Sequence, residues 1–209
     1  MDSRFILDPD YIRVEIYEEK YLDSKEEIKQ EEIEYMIAHE VTHGLLAYKE
    51  NYCQVRPRDI DNELVNGSAS LLFSMIEDIV VSKIIYENSF QMYPQNLIIM
   101  IQNEIEYERK GGDFYKQFNE IKDRYRVVRY VQAWGILRYR YINLDEIGKK
   151  TIDEYLIFQK LHPKQYEEAE KIKKIILENN IFVSEGYNNA IKECLDLWNL
   201  TDLVWFYTC

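Results

Sequence analysis

The chain has 209 residues, 46% of them hydrophobic and 31% charged, with only 7 Gly and 4 Pro. That mixture supports a buried core built of long helices, and it excludes a disordered, collagen-like or low-complexity chain. Lys and Arg number 26 against 38 Asp and Glu, a net charge of -12, so a phosphate backbone would meet repulsion and no nucleic acid is expected as a ligand.

Met1 to Asp10 carries acidic residues where a signal peptide needs an apolar run, so export is not expected. Tyr11 to Tyr17 alternates, with Ile12, Val14 and Ile16 on one face and Arg13 and Glu15 on the other, the mark of a strand. Ser24 and Glu27 form a capping box that opens a helix to about Lys49. Asn51 to Asp61, with Pro57 and several charges, reads as a loop. A second helix is expected from about Asn62 to Tyr86, and a third from Pro94 to the break at Lys110-Gly111-Gly112-Asp113. Helical spacing of Phe118, Ile121, Tyr125, Val128, Trp134, Leu137 and Tyr141 predicts a long helix within Phe114 to Tyr141. Shorter helices follow around Ile152 to Lys160, Pro163 to Leu177 and Gly186 to Leu197.

The expected class is α+β, predominantly helical, in one domain over residues 1–209. Its longest apolar stretch, Leu64 to Ile85, carries Glu77 and Asp78 near the middle, so no membrane span is expected. Cys53, Cys194 and Cys209 are odd in number and widely spaced, which fits reduced thiols in the cytoplasm.

The chemistry concentrates in His39-Glu40-Val41-Thr42-His43 on the first helix. Residues four apart share a helix face, so both imidazoles can reach one metal ion. Glu40 turns about 100° from His39, near enough to take a proton from a metal-bound water. It also lies in an apolar run, where an ionised carboxylate needs a charged companion. Ile33, Ile37, Val41, Gly44 and Tyr48 share the opposite face and are expected to pack on the core.

A hydrolytic zinc site usually takes three protein ligands and leaves a fourth position for water. Position 49 is Lys, and His162 precedes Pro163 at an expected helix start, where it reads as a surface cap. An acidic third ligand is the better candidate. Glu77 interrupts an apolar run, and its helix face carries the small residues Gly67, Ser70 and Ser74, which would let another helix approach closely. Asp78, about 100° around, suits the outer role of accepting the second N–H of a ligating histidine. The two acids can also exchange roles.

The His-Glu-Val-Thr-His helix, followed by a helix with a buried glutamate, resembles the gluzincin group of zinc metallopeptidases over roughly residues 11–86. The Val-Thr spacer is similar to that of the thermolysin-like enzymes. The resemblance implies a zincin-like core with a helical remainder over 87–209, and one Zn2+ per chain held by His39, His43 and Glu77. It implies Glu40 as general base and proton shuttle, and Tyr11 to Tyr17 as the edge strand that aligns a peptide or protein substrate. Thermolysin-like enzymes place Asp four residues after the ligand glutamate, whereas this chain has Val81 there and its acid at Asp78.

The expected activity is therefore peptide hydrolysis. Arg126, Arg129, His162 and the 18 tyrosines are candidates by type for stabilising an oxyanion. The competing reading is a zinc-binding regulatory or structural protein with one specific protein partner and no general peptidase activity. The aromatic tail from Asp196 to Cys209 reads as a last segment docked on the core, or as a pro-segment lying in the cleft.

Overall fold

The computed structural model describes residues 2–8, 11–17, 30–48, 51–88, 121–140 and 157–208, with positions 103, 106, 107 and 110. The expected capping box at Ser24 and Glu27, and most of the expected helix after Pro94, lie outside the described residues.

Two strands open the chain. β1 (Asp2–Asp8) and β2 (Tyr11–Tyr17) pair antiparallel, Asp8 opposite Tyr11 and Asp2 opposite Tyr17. The alternating segment is thus a strand over its full expected length. Its partner β1 carries no comparable alternation, and becomes a strand by pairing across a two-residue link. The hairpin lies against α1 (Gln30–Tyr48).

After α1 the chain turns at Asn51, which holds φ 72, a conformation Asn tolerates better than most side chains. The stretch read as a loop then contains β3 (Cys53–Pro57). Its partner is β4 (Val204–Thr208), with Cys53 opposite Thr208 and Pro57 opposite Val204. Such pairing across most of the chain leaves no local signature. It also gives the aromatic tail its place, docked as a strand, with Val204 buried and Trp205 exposed. Asn188 fastens the start of β3, accepting from Cys53 N–H at 2.8 Å and donating to Asn51 O at 2.7 Å.

The central element is α2 (Glu63–Glu87), capped by Asn62, whose Oδ1 accepts from Val65 N–H at 3.2 Å. Leu72, Met75, Ile76 and Ile79 are fully buried along it. On it pack α3 (Lys122–Arg140) and α5 (Ser184–Leu197), and α4 (Pro163–Glu178) packs on α3 and α5 in turn. One buried apolar cluster runs from Leu46 to Val204 through these elements.

The close approach to α2 differs from the expected one. Ser70 and Ser74 are exposed, and the tight contact is made by Gly135 of α3, where an added Cβ would sit 2.3 Å from Ile79 Cδ1. Among the described residues the fold is predominantly helical with two small antiparallel sheets. Among the described residues no helix is long and apolar enough to cross a membrane.

The orientation of α1 corrects a second expectation. Ile37 is 41% and Tyr48 50% exposed, and Leu45 between them is 58% exposed. Ile37, Val41 and Leu45 line an open groove of about 490 Å³ together with Ile84 and Ile85. The buried side of α1 carries Met36, Glu40, His43, Leu46 and Ala47 instead. A helix that turns its two histidines onto α2 must turn the opposite stripe outward.

Candidate metal centre

Two adjacent elements build the site. α1 supplies His39, Glu40 and His43, and α2, packed against it, supplies Glu77 and Asp78. Helical spacing stacks the two imidazoles, with ring centroids 4.6 Å apart and Nε2 atoms 3.0 Å apart. Tyr35, one turn earlier, stacks on His39 at 6.0 Å. Thr42 returns its hydroxyl proton to Ala38 O at 2.7 Å, so that buried hydroxyl is satisfied within the helix.

Asp78 is the acid that meets both imidazoles. Its Oδ1 lies 2.9 Å from His43 Nε2 and 3.4 Å from His39 Nε2. Glu77 sits on the far side of the His43 ring, Oε2 being 2.9 Å from Nδ1. The structure thus brings together His39, His43 and Glu77, expected as ligands, with Asp78, expected in the outer role. It sets Asp78 at the convergence of the Nε2 atoms and Glu77 behind His43, the exchanged arrangement. The rotation of α2 decides this, because neighbouring residues on a helix differ by about 100°.

The donor set fits a divalent cation. Its three edges are 3.0, 2.9 and 3.4 Å. Ligands at about 2.0–2.1 Å in tetrahedral array would stand roughly 3.3 Å apart. A proton on His43 Nε2 can bond to Asp78 or to His39, not to both, whereas a cation between the three meets every lone pair. His39, His43 and Asp78 are the group of potential ligands that converges among the described residues.

Electrostatics agree with that geometry. Burial disfavours a charged His43, but the Asp78 and Glu77 carboxylates outweigh it and lift the imidazole to about 10. Burial pushes the Asp78 carboxyl up, and hydrogen bonds with His39 and His43 more than reverse this, holding it well below the usual carboxylate range. The two carboxylates thus favour positive charge at this cluster. Glu40 is 8% exposed on the buried side of α1, one residue on from His39. His39 Nδ1 is buried and finds no hydrogen-bond partner among the described residues.

The helical remainder contributes more than the sequence reading assigned to it. Gln132 of α3 donates through Nε2 to Asp78 Oδ2, and Arg129 Nη1 donates to Gln132 Oε1 at 3.1 Å. Tyr187 of α5 is fully buried, its ring 5.1 Å from Tyr52 and 6.4 Å from Phe73. Burial, then the charge of Glu77, raises its phenol well above the ordinary range. Burial likewise lifts the Cys53 thiol to about 12, with Glu77 adding to the effect. No sequence signal ties Gln132 to the motif, since it reaches Asp78 only through helix packing.

Other candidates stand elsewhere. His162 occupies the cap position of α4, its ring 5.3 Å from that of Phe158, and is not part of the cluster. Arg126 pairs with Asp123 at 3.0 Å. Comparison with known proteins adds no further assignment: no protein-family model, no curated protein and no solved structure matches this chain.

Proposed function

We propose that this chain is a zinc-dependent peptidase in which His39, His43 and Asp78 hold one zinc ion and Glu40 is the general base. The observation that carries the reading is the convergence of two Nε2 atoms and one carboxylate oxygen with edges of 3.0, 2.9 and 3.4 Å. A zincin-like arrangement is the matching fold reading: a strand hairpin on the motif helix, and a second helix bringing the acid.

When bound, zinc supplies a Lewis acid that polarises a scissile carbonyl and acidifies a water. The residues of the chain do the rest. Glu40 takes the proton of the attacking water and delivers it to the leaving amine. The Glu77 carboxylate, with Oε2 2.9 Å from His43 Nδ1, favours a proton on that nitrogen and so leaves the Nε2 lone pair for the metal. A peptide would add in extended form along the edge of β2 that β1 leaves open in the hairpin. The net charge of -12 favours basic peptides through electrostatic steering. Buried, unpaired Cys53 and Cys194 fit a reducing cytoplasm.

Metal content by mass spectrometry and cleavage of casein and basic peptides test this together. Wild type should carry about one zinc, His39→Ala none, and Glu40→Gln should keep zinc while losing about 10²–10⁴-fold in turnover. Zinc without cleavage of either substrate would favour a zinc-binding protein serving one specific partner. No zinc in wild type would refute the reading.

A further inference from the structure

Asp78 uses its two oxygens differently. Oδ1 faces the imidazoles at 2.9 and 3.4 Å, while Oδ2 accepts from Gln132 Nε2. The amide orientation of Gln132 follows from chemistry at both ends. Arg129 can only donate, so the atom it reaches at 3.1 Å must be Oε1, and an ionised carboxylate can only accept, so the atom facing Asp78 must be the NH2. Arg129 therefore sets the direction of the amide, and the amide sets the direction of the carboxylate.

Resting on the reading of this cluster as a metal site, we infer that Gln132 is a positioning residue that holds Asp78 to one metal-facing oxygen, with Arg129 fixing Gln132. The carboxylate torsion of an Asp is broad and weakly restrained by itself. Released from Gln132, Asp78 is free to swing its second oxygen onto the ion. That would fill a coordination position which a hydrolytic site must keep for water. Outer partners of this kind typically change metal affinity by about 10–100-fold.

The test measures zinc affinity by chelator competition and the visible spectrum of bound Co2+. It compares wild type with Gln132→Met, Arg129→Ala and Arg129→Lys, and takes the metal-free melting temperature of each. Methionine matches the length of glutamine, suits a helix and has no donor, so the fold should persist. Gln132→Met should weaken zinc about 10–100-fold. At saturating cobalt it should also lower the visible absorption, as the ion gains a ligand. A residue that served only the packing of α3 would move the melting temperature and leave the cobalt spectrum alone. Arg129→Ala should weaken zinc several-fold, and Arg129→Lys should restore most of the loss. Removing a positive charge would by itself tighten cation binding, so weakening in Arg129→Ala has the sign of lost positioning.

Wild-type affinity and an unchanged cobalt spectrum in Gln132→Met overturn the inference while leaving the metal site standing. Tighter zinc in Arg129→Ala overturns the role given to Arg129. Failure of wild type to bind either Zn2+ or Co2+ overturns the metal site itself, and this inference with it.

Discussion

Asp78 and Glu77 are adjacent, both acidic and both in contact with His43, so isosteric amides at the two positions separate their roles sharply. Asp78→Asn removes the charge at the point where the Nε2 atoms converge, 2.9 and 3.4 Å away. It also creates a conflict, because Gln132 presents an N–H to the outer oxygen of Asp78. Asparagine satisfies that donor by turning its own oxygen outward, which aims its NH2 at the imidazoles. A metal would then meet a donor where it needs a lone pair. Loss of one partner from a buried charged cluster costs about 3–5 kcal/mol, some hundredfold to several thousandfold in affinity. Glu77→Gln keeps an acceptor for His43 Nδ1–H and loses only the outer charge, so its penalty should stay near 10–100-fold, about 1.4–2.7 kcal/mol. Chelator competition on refolded, metal-free protein, with circular dichroism to verify the fold, measures both. Equal losses would refute the division of roles, and zinc kept in Asp78→Asn but lost in Glu77→Gln would restore Glu77 as the ligand.

Three further outcomes follow from the packing and the thiols. Gly135→Ala drives a methyl to within 2.3 Å of buried Ile79 Cδ1 and should cost about 1–3 kcal/mol in urea unfolding, less when combined with Ile79→Ala. An unchanged urea midpoint would show that α3 has room to shift. Ending the chain after Leu203 deletes β4 and the fully buried Val204, worth about 1.5–3 kcal/mol by burial alone. Its melting temperature should fall with no gain of peptidase activity, whereas a stable, activated protein would favour the tail as a pro-segment. Cys53 and Cys194 are both pushed up to about 12 by burial, so the folded state holds their protons more tightly than the unfolded chain does. Their contribution is complete below the unfolded thiol range near pH 9 and falls as pH rises toward 12, by about 1.4 kcal/mol per pH unit for each thiol. Melting temperatures of Cys194→Ala should decline less steeply than wild type across that window, and parallel curves would refute it.

Helices and the motif could be read locally because their information is local. The long apolar stretch placed α2 within a residue at each end, expected from about Asn62 to Tyr86 and observed over Glu63–Glu87. Alternation found β2, and Pro163 marked the start of α4. The i, i+4 spacing of His39 and His43 put both rings on one face, because that follows from helix geometry alone. The sequence also narrowed the acid expected beside the histidines to two adjacent residues, since a carboxylate in an apolar run needs a reason to be there.

What lay beyond the sequence depends on contacts between distant segments. Which face of α1 is buried, and which of Glu77 and Asp78 turns toward it, depends on the axial rotation of packed helices. A few tens of degrees there change the outcome, and the contact of Ile79 with Gly135 helps fix that rotation from another helix. β3 exists because β4 returns to it from the end of the chain, so Asn51 to Asp61 alone reads as a loop. Gln132 and its guide Arg129 look like ordinary polar residues on an amphipathic helix until α3 is laid against α2. The sequence by itself singled out the helix and the side chains from which the proposed chemistry is argued. Tertiary packing alone decided which oxygen meets the histidines, because that is set by the relative placement of three helices and not by the spacing of residues along any one of them.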